Sequence, residues 1–366
     1  MGTVKTTTRI YNFSAGPAML PLPVLEEVQR DLLALPGVGM SVLEISHRSK
    51  TFEAIIEGAE ADIRRIAGIG ADYHVLFLQG GASLQFSMVP MNLLPPGGAA
   101  DYLITGIWAQ KAAQEAARHG TVRVAASTEA ERFSRIPRPE EIRLSADAAY
   151  VHMTSNNTIF GTQWKYVPDT GGRPLVADTS SDMFSRPIDV SRYGLIYAGA
   201  QKNLGPAGVT LVIVRDDLVK RSPAGLPSML SYRVHAEHRS LYNTPPVFAI
   251  YVLRLVMKWI LDQGGLAALE RVNERKAAKL YAEIDRTGFY LGHAQPDSRS
   301  TMNVTFRLRD EKLESLFVEE ATREGLDGLK GHRSVGGLRA SIYNAFPEAG
   351  VDALVAFMRE FERRHG

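Results

Sequence analysis

The feature that most limits what this chain can fold into is the alternation, from about Pro21 onward, of amphipathic helical stretches with short runs that are apolar throughout. Strands of that kind need cover on both faces, and helices between successive strands supply it. The pattern therefore predicts an α/β fold, a mostly parallel sheet flanked by helices. Thr51 to Ile66 carries helical periodicity, and Tyr73-His74-Val75-Leu76-Phe77-Leu78 follows as a strand. Gly80-Gly81-Ala82-Ser83 opens a helix to Leu94, stopped by Pro95-Pro96-Gly97-Gly98. Further strands are expected at Asp101 to Ile104, Ala149 to His152, Pro174 to Ala177, Leu195 to Ala198 and Thr210 to Val214. Val247 to Leu261 is apolar but interrupted by Arg254 and Lys258, and it falls short of the ~20 residues that cross a bilayer, so it reads as a buried helix. Leu266 to Ile284 sets its apolar residues near one helical face. A smaller unit begins about there, with strands at Met302 to Leu308 and Leu338 to Ile342 and a closing helix from Val351. The expected organisation is an arm over residues 1–20, a large domain over 21–262 and a smaller C-terminal α/β domain over 263–366, and 366 residues are enough for both.

Charge and composition remove several function classes. Lys and Arg number 42 against 40 Asp and Glu, scattered without a basic run, which argues against a nucleic-acid partner. With no cysteine, a disulfide framework, a Cys-ligated metal and a thiol nucleophile are all excluded. The lack of an apolar signal segment favours the cytoplasm and no membrane partner. Met1-Gly2 with Thr6 fits a loose acylation pattern, but the match is short enough to arise by chance.

Ligands of parallel sheets collect at the carboxyl ends of the strands, so polar residues just past each strand are the candidates. Asp178 ends one expected strand, and Lys202 lies just past another, inside Gly199-Ala200-Gln201-Lys202-Asn203-Leu204-Gly205-Pro206-Ala207-Gly208. A lysine that forms an imine must be partly neutral, a state that desolvation favours, and an acid at a neighbouring strand end can keep a pyridine nitrogen protonated. Taken by themselves, these residues leave open a turn cap at Asp178 and a solvated Lys202. Gly80 to Ser83 offers free backbone N–H groups at a helix start, suited to an anion, without the spacing of a nucleotide motif. Trp108 follows a strand and could stack on a planar ring or fill a core. Two His-Arg pairs, His47-Arg48 and His332-Arg333, together with Arg339, would suit a substrate with two anionic ends, although an arginine taken singly is more often a surface charge.

On these residues the chain resembles the class V aminotransferases of the fold-type-I pyridoxal-phosphate group, and among them the phosphoserine aminotransferase family. The resemblance runs from Tyr11-Asn12-Phe13-Ser14-Ala15-Gly16-Pro17 to the final Arg364-His365-Gly366. It is densest at Ser185 to Gly194, Tyr197 to Gly208, Tyr242-Asn243-Thr244-Pro245-Pro246 and Leu329 to Asn344. It implies pyridoxal 5'-phosphate held on Lys202, with Asp178 at the ring nitrogen, Trp108 on the ring and Thr158 at the phenolic oxygen. Ala82, Ser83 and Gln201 would hold the cofactor phosphate, joined by Asn243 and Thr244 of a second subunit, so the active unit would be a homodimer. Arg339 would take the substrate α-carboxylate, and His47, Arg48, His332 and Arg333 the distal phosphate or carboxylate, some of them across the dimer interface. The implied reaction moves the amino group of L-glutamate to 3-phosphohydroxypyruvate, with 4-phosphohydroxy-L-threonine of vitamin B6 synthesis as a possible second substrate. Two positions depart from some relatives: Ser83 stands where they carry arginine, and Ala15 where they carry serine, which puts affinity in doubt but not the reaction. The absence of cysteine argues against a desulfurase, whereas another class V transaminase and a non-catalytic binder of phosphorylated metabolites remain as alternatives.

Overall fold

The computed structural model describes residues 9–366, so the Met1-Gly2 and Thr6 pattern and the start of the expected arm lie outside the described residues. The central sheet has seven strands: Tyr73–Leu78 (β1), Ala99–Ile104 (β2), Thr121–Ser127 (β3), Ala148–Thr154 (β4), Leu175–Asp178 (β5), Leu195–Gly199 (β6) and Thr210–Arg215 (β7). Their spatial order is β1-β7-β6-β5-β4-β2-β3. Pairs from β6 through β3 are parallel, and β7 runs antiparallel to both of its neighbours. The direction of β7 follows from its connection. The segment 200–209 holds no helix, and a parallel return would need a crossover of about a dozen residues or more.

Alternation along each strand sends side chains to two separate cores. Val75, Phe77, Val151, Met153, Leu175, Ala177, Ile196 and Ala198 pack toward helices Lys50–Ala67 (α1) and Val247–Asp262 (α4). Leu76, Leu78, Tyr102, Tyr150, Val176, Leu195 and Tyr197 pack toward Gly81–Leu93 (α2) and Ile107–Ala116 (α3). Burying each such large side chain contributes about 1.5–3 kcal/mol, so both faces of the strand ends that hold the polar residues are fixed by apolar packing beneath them. Helix α1 starts where Ser49 Oγ accepts the Phe52 N–H at 3.2 Å, and it ends at Gly68 in the left-handed region with φ 61°.

A third core surrounds a three-stranded antiparallel sheet of Tyr290–Gly292 (β8), Asn303–Leu308 (β9) and Leu338–Ser341 (β10). Helices Leu266–Ile284 (α5) and Glu348–His365 (α6) pack on it. Phe13 belongs to this core, and Tyr11–Asn12 pairs in parallel with Leu326–Asp327, so the arm is stitched to C-terminal residues. Helix α6 begins three residues before the expected Val351, with Pro347 as its extended N-cap. No helix among the described residues is long and apolar enough to cross a membrane.

Candidate active site

The β5 and β6 ends stand side by side, with Asp178 in register with Tyr197, and this places Asp178 beside the loop that carries Lys202. Asp178 is 5% exposed, and its Oδ1 accepts the Ser180 N–H at 3.0 Å. Burial raises the carboxyl pKa, while Lys202 and the Ser180 bonds pull it back down. For Lys202 burial lowers the pKa, the charge of Asp178 opposes that shift and Arg339 adds to it. Each group thus holds the other's charge in a site that disfavours both. Lys202 Nζ has no hydrogen-bond partner among the described residues and lies 5.9 Å from the centre of the Trp108 ring.

One cavity of about 280 Å³ gathers Ala82, Ser83, Trp108, Asp178, Gln201 and Lys202. Gly80 (φ 83°) and Gly81 (φ 64°) bend the chain into α2 so that the first N–H groups of the helix face this space. Gly199 lines the wall next to the helix start, where a Cβ would lie 3.7 Å from the Ala82 nitrogen, in ordinary contact. An anionic group at the helix start, a planar ring beside Trp108, a ring nitrogen at Asp178 and a carbonyl carbon at Lys202 fit this arrangement of donors and walls.

Thr158 joins the cavity through Trp108, whose Nε1 donates to Thr158 Oγ1 at 3.1 Å. The Thr158 carbonyl in turn accepts Arg339 NH1 at 3.2 Å. Burial lowers the pKa of Arg339, and its Nε has no partner among the described residues, which leaves a guanidinium edge free for an anion. His332 and Arg339 line a second cavity of about 320 Å³. His332 Nδ1 lies 3.2 Å from the Ser334 N–H, which it accepts, so in the neutral ring Nε2 carries the proton and can donate to a ligand. Burial keeps that ring neutral near pH 7, with Arg339, Arg333 and Lys111 acting in the same direction. Arg333 is exposed and lines neither cavity.

Four further expected site residues are likewise not brought together with Lys202 by this chain. His47 Nδ1 and Thr244 Oγ1 lie 3.3 Å apart at the surface, next to exposed Arg48 and half-buried Asn243, and none of the four lines either cavity. Three residues that the sequence reading passed over also belong to the site. Ser180 lines the Lys202 cavity and accepts the Gly199 N–H at 3.0 Å; its place two residues after an aspartate is an Asx-turn signal. Lys111 lies 4.8 Å over the Trp108 ring, one turn along α3, a neighbour that helical spacing announces. Ser155 Oγ bonds both the Asp178 carbonyl, at 3.0 Å, and Asp182, and no local pattern points to it.

A mostly parallel sheet covered by helices on both faces, with a lysine and a buried carboxylate at adjacent strand ends, a helix-start anion cradle and an antiparallel C-terminal sheet, is the scaffold of the fold-type-I pyridoxal-phosphate transferases. The chain belongs within them to the aminotransferase class-V family, whose model matches residues 10–354. It is 59% identical to the phosphoserine aminotransferase of Desulfosudis oleivorans over 98% of this chain and 99% of that protein. Among solved structures it is similar to the phosphoserine aminotransferase from Bacillus circulans subsp. alkalophilus, with TM-score 0.97 and 53% identity over 98% of this chain and all of that one. It is also similar to the PLP-bound phosphoserine aminotransferase from Trichomonas vaginalis, with TM-score 0.91 and 40% identity over 96% of this chain and all of that one.

Proposed function

We propose that this chain catalyses the phosphoserine aminotransferase reaction, moving the amino group of L-glutamate to 3-phosphohydroxypyruvate to give O-phospho-L-serine and 2-oxoglutarate, as a cytoplasmic homodimer. The observation that carries the proposal is the pairing of the Lys202 and Asp178 cavity with a free cationic edge at Arg339 and a donating His332, reached through Trp108 and Thr158. Pyridoxal phosphate, the cofactor bound in the similar Trichomonas enzyme, supplies a carbonyl that condenses with amines and a pyridinium that withdraws electrons from the substrate Cα.

The chain's own groups then divide the work. Lys202 Nζ, whose pKa burial lowers, takes the proton from the substrate Cα as a base and returns a proton as an acid. Asp178 would accept a hydrogen bond from the ring nitrogen and so keep that nitrogen protonated, its carboxylate being buried and held by the Ser180 N–H. Trp108 supports the ring and Thr158 its phenolic oxygen, with Ala82, Ser83 and Gln201 at the phosphate. Arg339 clamps the α-carboxylate that glutamate and phosphoserine share. His332 with Arg333, and His47 with Arg48 from the partner subunit, receive the distal anion, while Asn243 and Thr244 of the partner complete the cofactor phosphate site. The two-unit division near residue 263 fits this scheme, since Arg339 and Lys202 then belong to different units.

An absorption titration tests the proposal. Protein with pyridoxal phosphate should show the visible band of a lysine imine, and O-phospho-L-serine should bleach it at far lower concentration than L-serine does. Equal potency of the two amino acids would remove the distal-phosphate assignment, and absence of the band would favour a non-catalytic binder of phosphorylated metabolites.

A further inference from the structure

The chain leaving β10 meets the N-terminal arm and the Lys202 loop at one place, and the chemistry above uses neither contact. Tyr343 is 2% exposed; its hydroxyl donates to the Ala15 carbonyl at 2.7 Å and lies 3.1 Å from Asn303 Nδ2, which donates to it. One residue on, the Asn344 N–H donates to Asn203 Oδ1 at 3.0 Å, directly beside Lys202. The arm is anchored at both ends. Phe13 N donates to Asp327 O at 2.8 Å and Phe13 O accepts Ser341 N at 3.1 Å, while Ala18 N donates to Gln201 O at 2.9 Å. Between these anchors Gly16 passes so near Gln201 that a Cβ on it would lie 3.4 Å from Gln201 Cδ. Gln201 lines the Lys202 cavity.

We propose that Tyr343 is a positioning residue whose hydroxyl, acting through the Ala15 carbonyl, straps the arm across Gln201 and so ties the strand carrying Arg339 to the Lys202 loop. Residues 14–17 form no strand pairing of their own; Asn12 Oδ1 accepts the Ser14 N–H at 2.9 Å within the arm, and the Tyr343 bond to Ala15 is what ties this stretch to the chain leaving β10. The strap makes the distance between Arg339 and Lys202, and hence the fit of a substrate's carboxylate and amine ends together, depend on an oxygen that touches neither. Asn303 Nδ2 keeps Ser341 Oγ as an acceptor at 2.9 Å, so loss of the Tyr343 oxygen releases the arm without stranding that amide.

The test is Tyr343→Phe in the pyridoxal-phosphate-loaded dimer, because the ring and its packing stay. Hydrogen exchange of the Ala18 N–H should accelerate, and KM for both substrates should rise about tenfold, the effect of one buried hydrogen bond, with kcat changed by less than about twofold. Wild-type exchange together with wild-type KM would overturn the proposal. A raised KM with unchanged exchange would overturn it too, placing the effect at Arg339 directly. The choice of substrates rests on the proposed reaction, but the exchange measurement does not: if phosphoserine fails with the wild type, that reading falls while Ala18 still decides the strap.

Discussion

Lys202 and Asp178 set each other's protonation, and that gives the pair a measurable signature. Capture of pyridoxal phosphate needs the neutral amine, so the rate of band formation by cofactor-free protein should rise with pH through the folded pKa of Lys202, below the usual 10.5 because of burial. The charge of Asp178 raises that pKa, so Asp178→Asn should move the midpoint of the rate profile to lower pH. Arg339 lowers it, so Arg339→Met should move the midpoint upward. Stopped-flow absorbance across a pH series reads both shifts, and an upward shift in Asp178→Asn would contradict the pairing. Turnover should respond differently. Lys202→Ala should lose about 10⁴-fold or more, having neither base nor acid at the substrate Cα. Asp178→Asn should lose about 100-fold or more, because a fixed charge facing the pyridinium is gone.

The start of α2 concentrates local geometry into one residue. Gly80 sits at φ 83°, and a Cβ there would lie 2.6 Å from both Cβ and Cδ2 of Leu84. Gly80→Ala should therefore cost about 2 kcal/mol or more in a denaturant titration, beyond the ~1–2 kcal/mol of the left-handed backbone, and weaken cofactor binding by reorienting the N–H groups of Ala82 and Ser83. Lys276 on α5 does a comparable job for the chain leaving β10. It is fully buried, and its ammonium donates to the carbonyls of Ile342, Tyr343 and Phe346 at 3.0, 2.7 and 3.1 Å. Lys276→Met strands three acceptors and should lower unfolding free energy by about 3 kcal/mol or more, measured the same way. Gly80 was legible in the sequence because a turn between a strand and a helix is a local pattern. The six strands expected in the central sheet were legible for a related reason: each is apolar along its whole length. Strand β3 was not, because at the sheet edge Thr121–Ser127 exposes part of its length, Val124 to 60%, and shows no continuous apolar run. The pairing of Lys202 with Asp178 follows from adjacent strand ends and could be anticipated. The bonds that brace the site, such as Asn156 Nδ2 to Asn303 Oδ1 at 2.8 Å, join residues 147 apart in the chain, a distance no local pattern spans.

At the scale of the whole molecule, the surface itself argues for a partner. Leu32, Leu33, Met40 and Leu43 are exposed in the run before His47, and so is Tyr242, next to Asn243. Exposed apolar side chains close in sequence to four candidate site residues that miss their own cavity fit a two-fold interface in which each chain lends those residues to the other. Complementation tests the exchange. Arg48→Ala homodimers should lose roughly 10–100-fold in kcat/KM for the phosphorylated substrate, the worth of one charge-assisted contact, and Lys202→Ala homodimers should be inactive. Consider a hybrid with one chain of each kind, purified through two different tags. If Arg48 serves the partner's Lys202, one site of the hybrid carries both defects and the other carries neither, so the hybrid should keep about half of wild-type kcat/KM per dimer. If Arg48 serves its own chain, every site in the hybrid is defective, and the value should fall to or below that of the Arg48→Ala homodimer. The two arrangements thus differ by about an order of magnitude or more, in a measurement where both parent variants supply the controls.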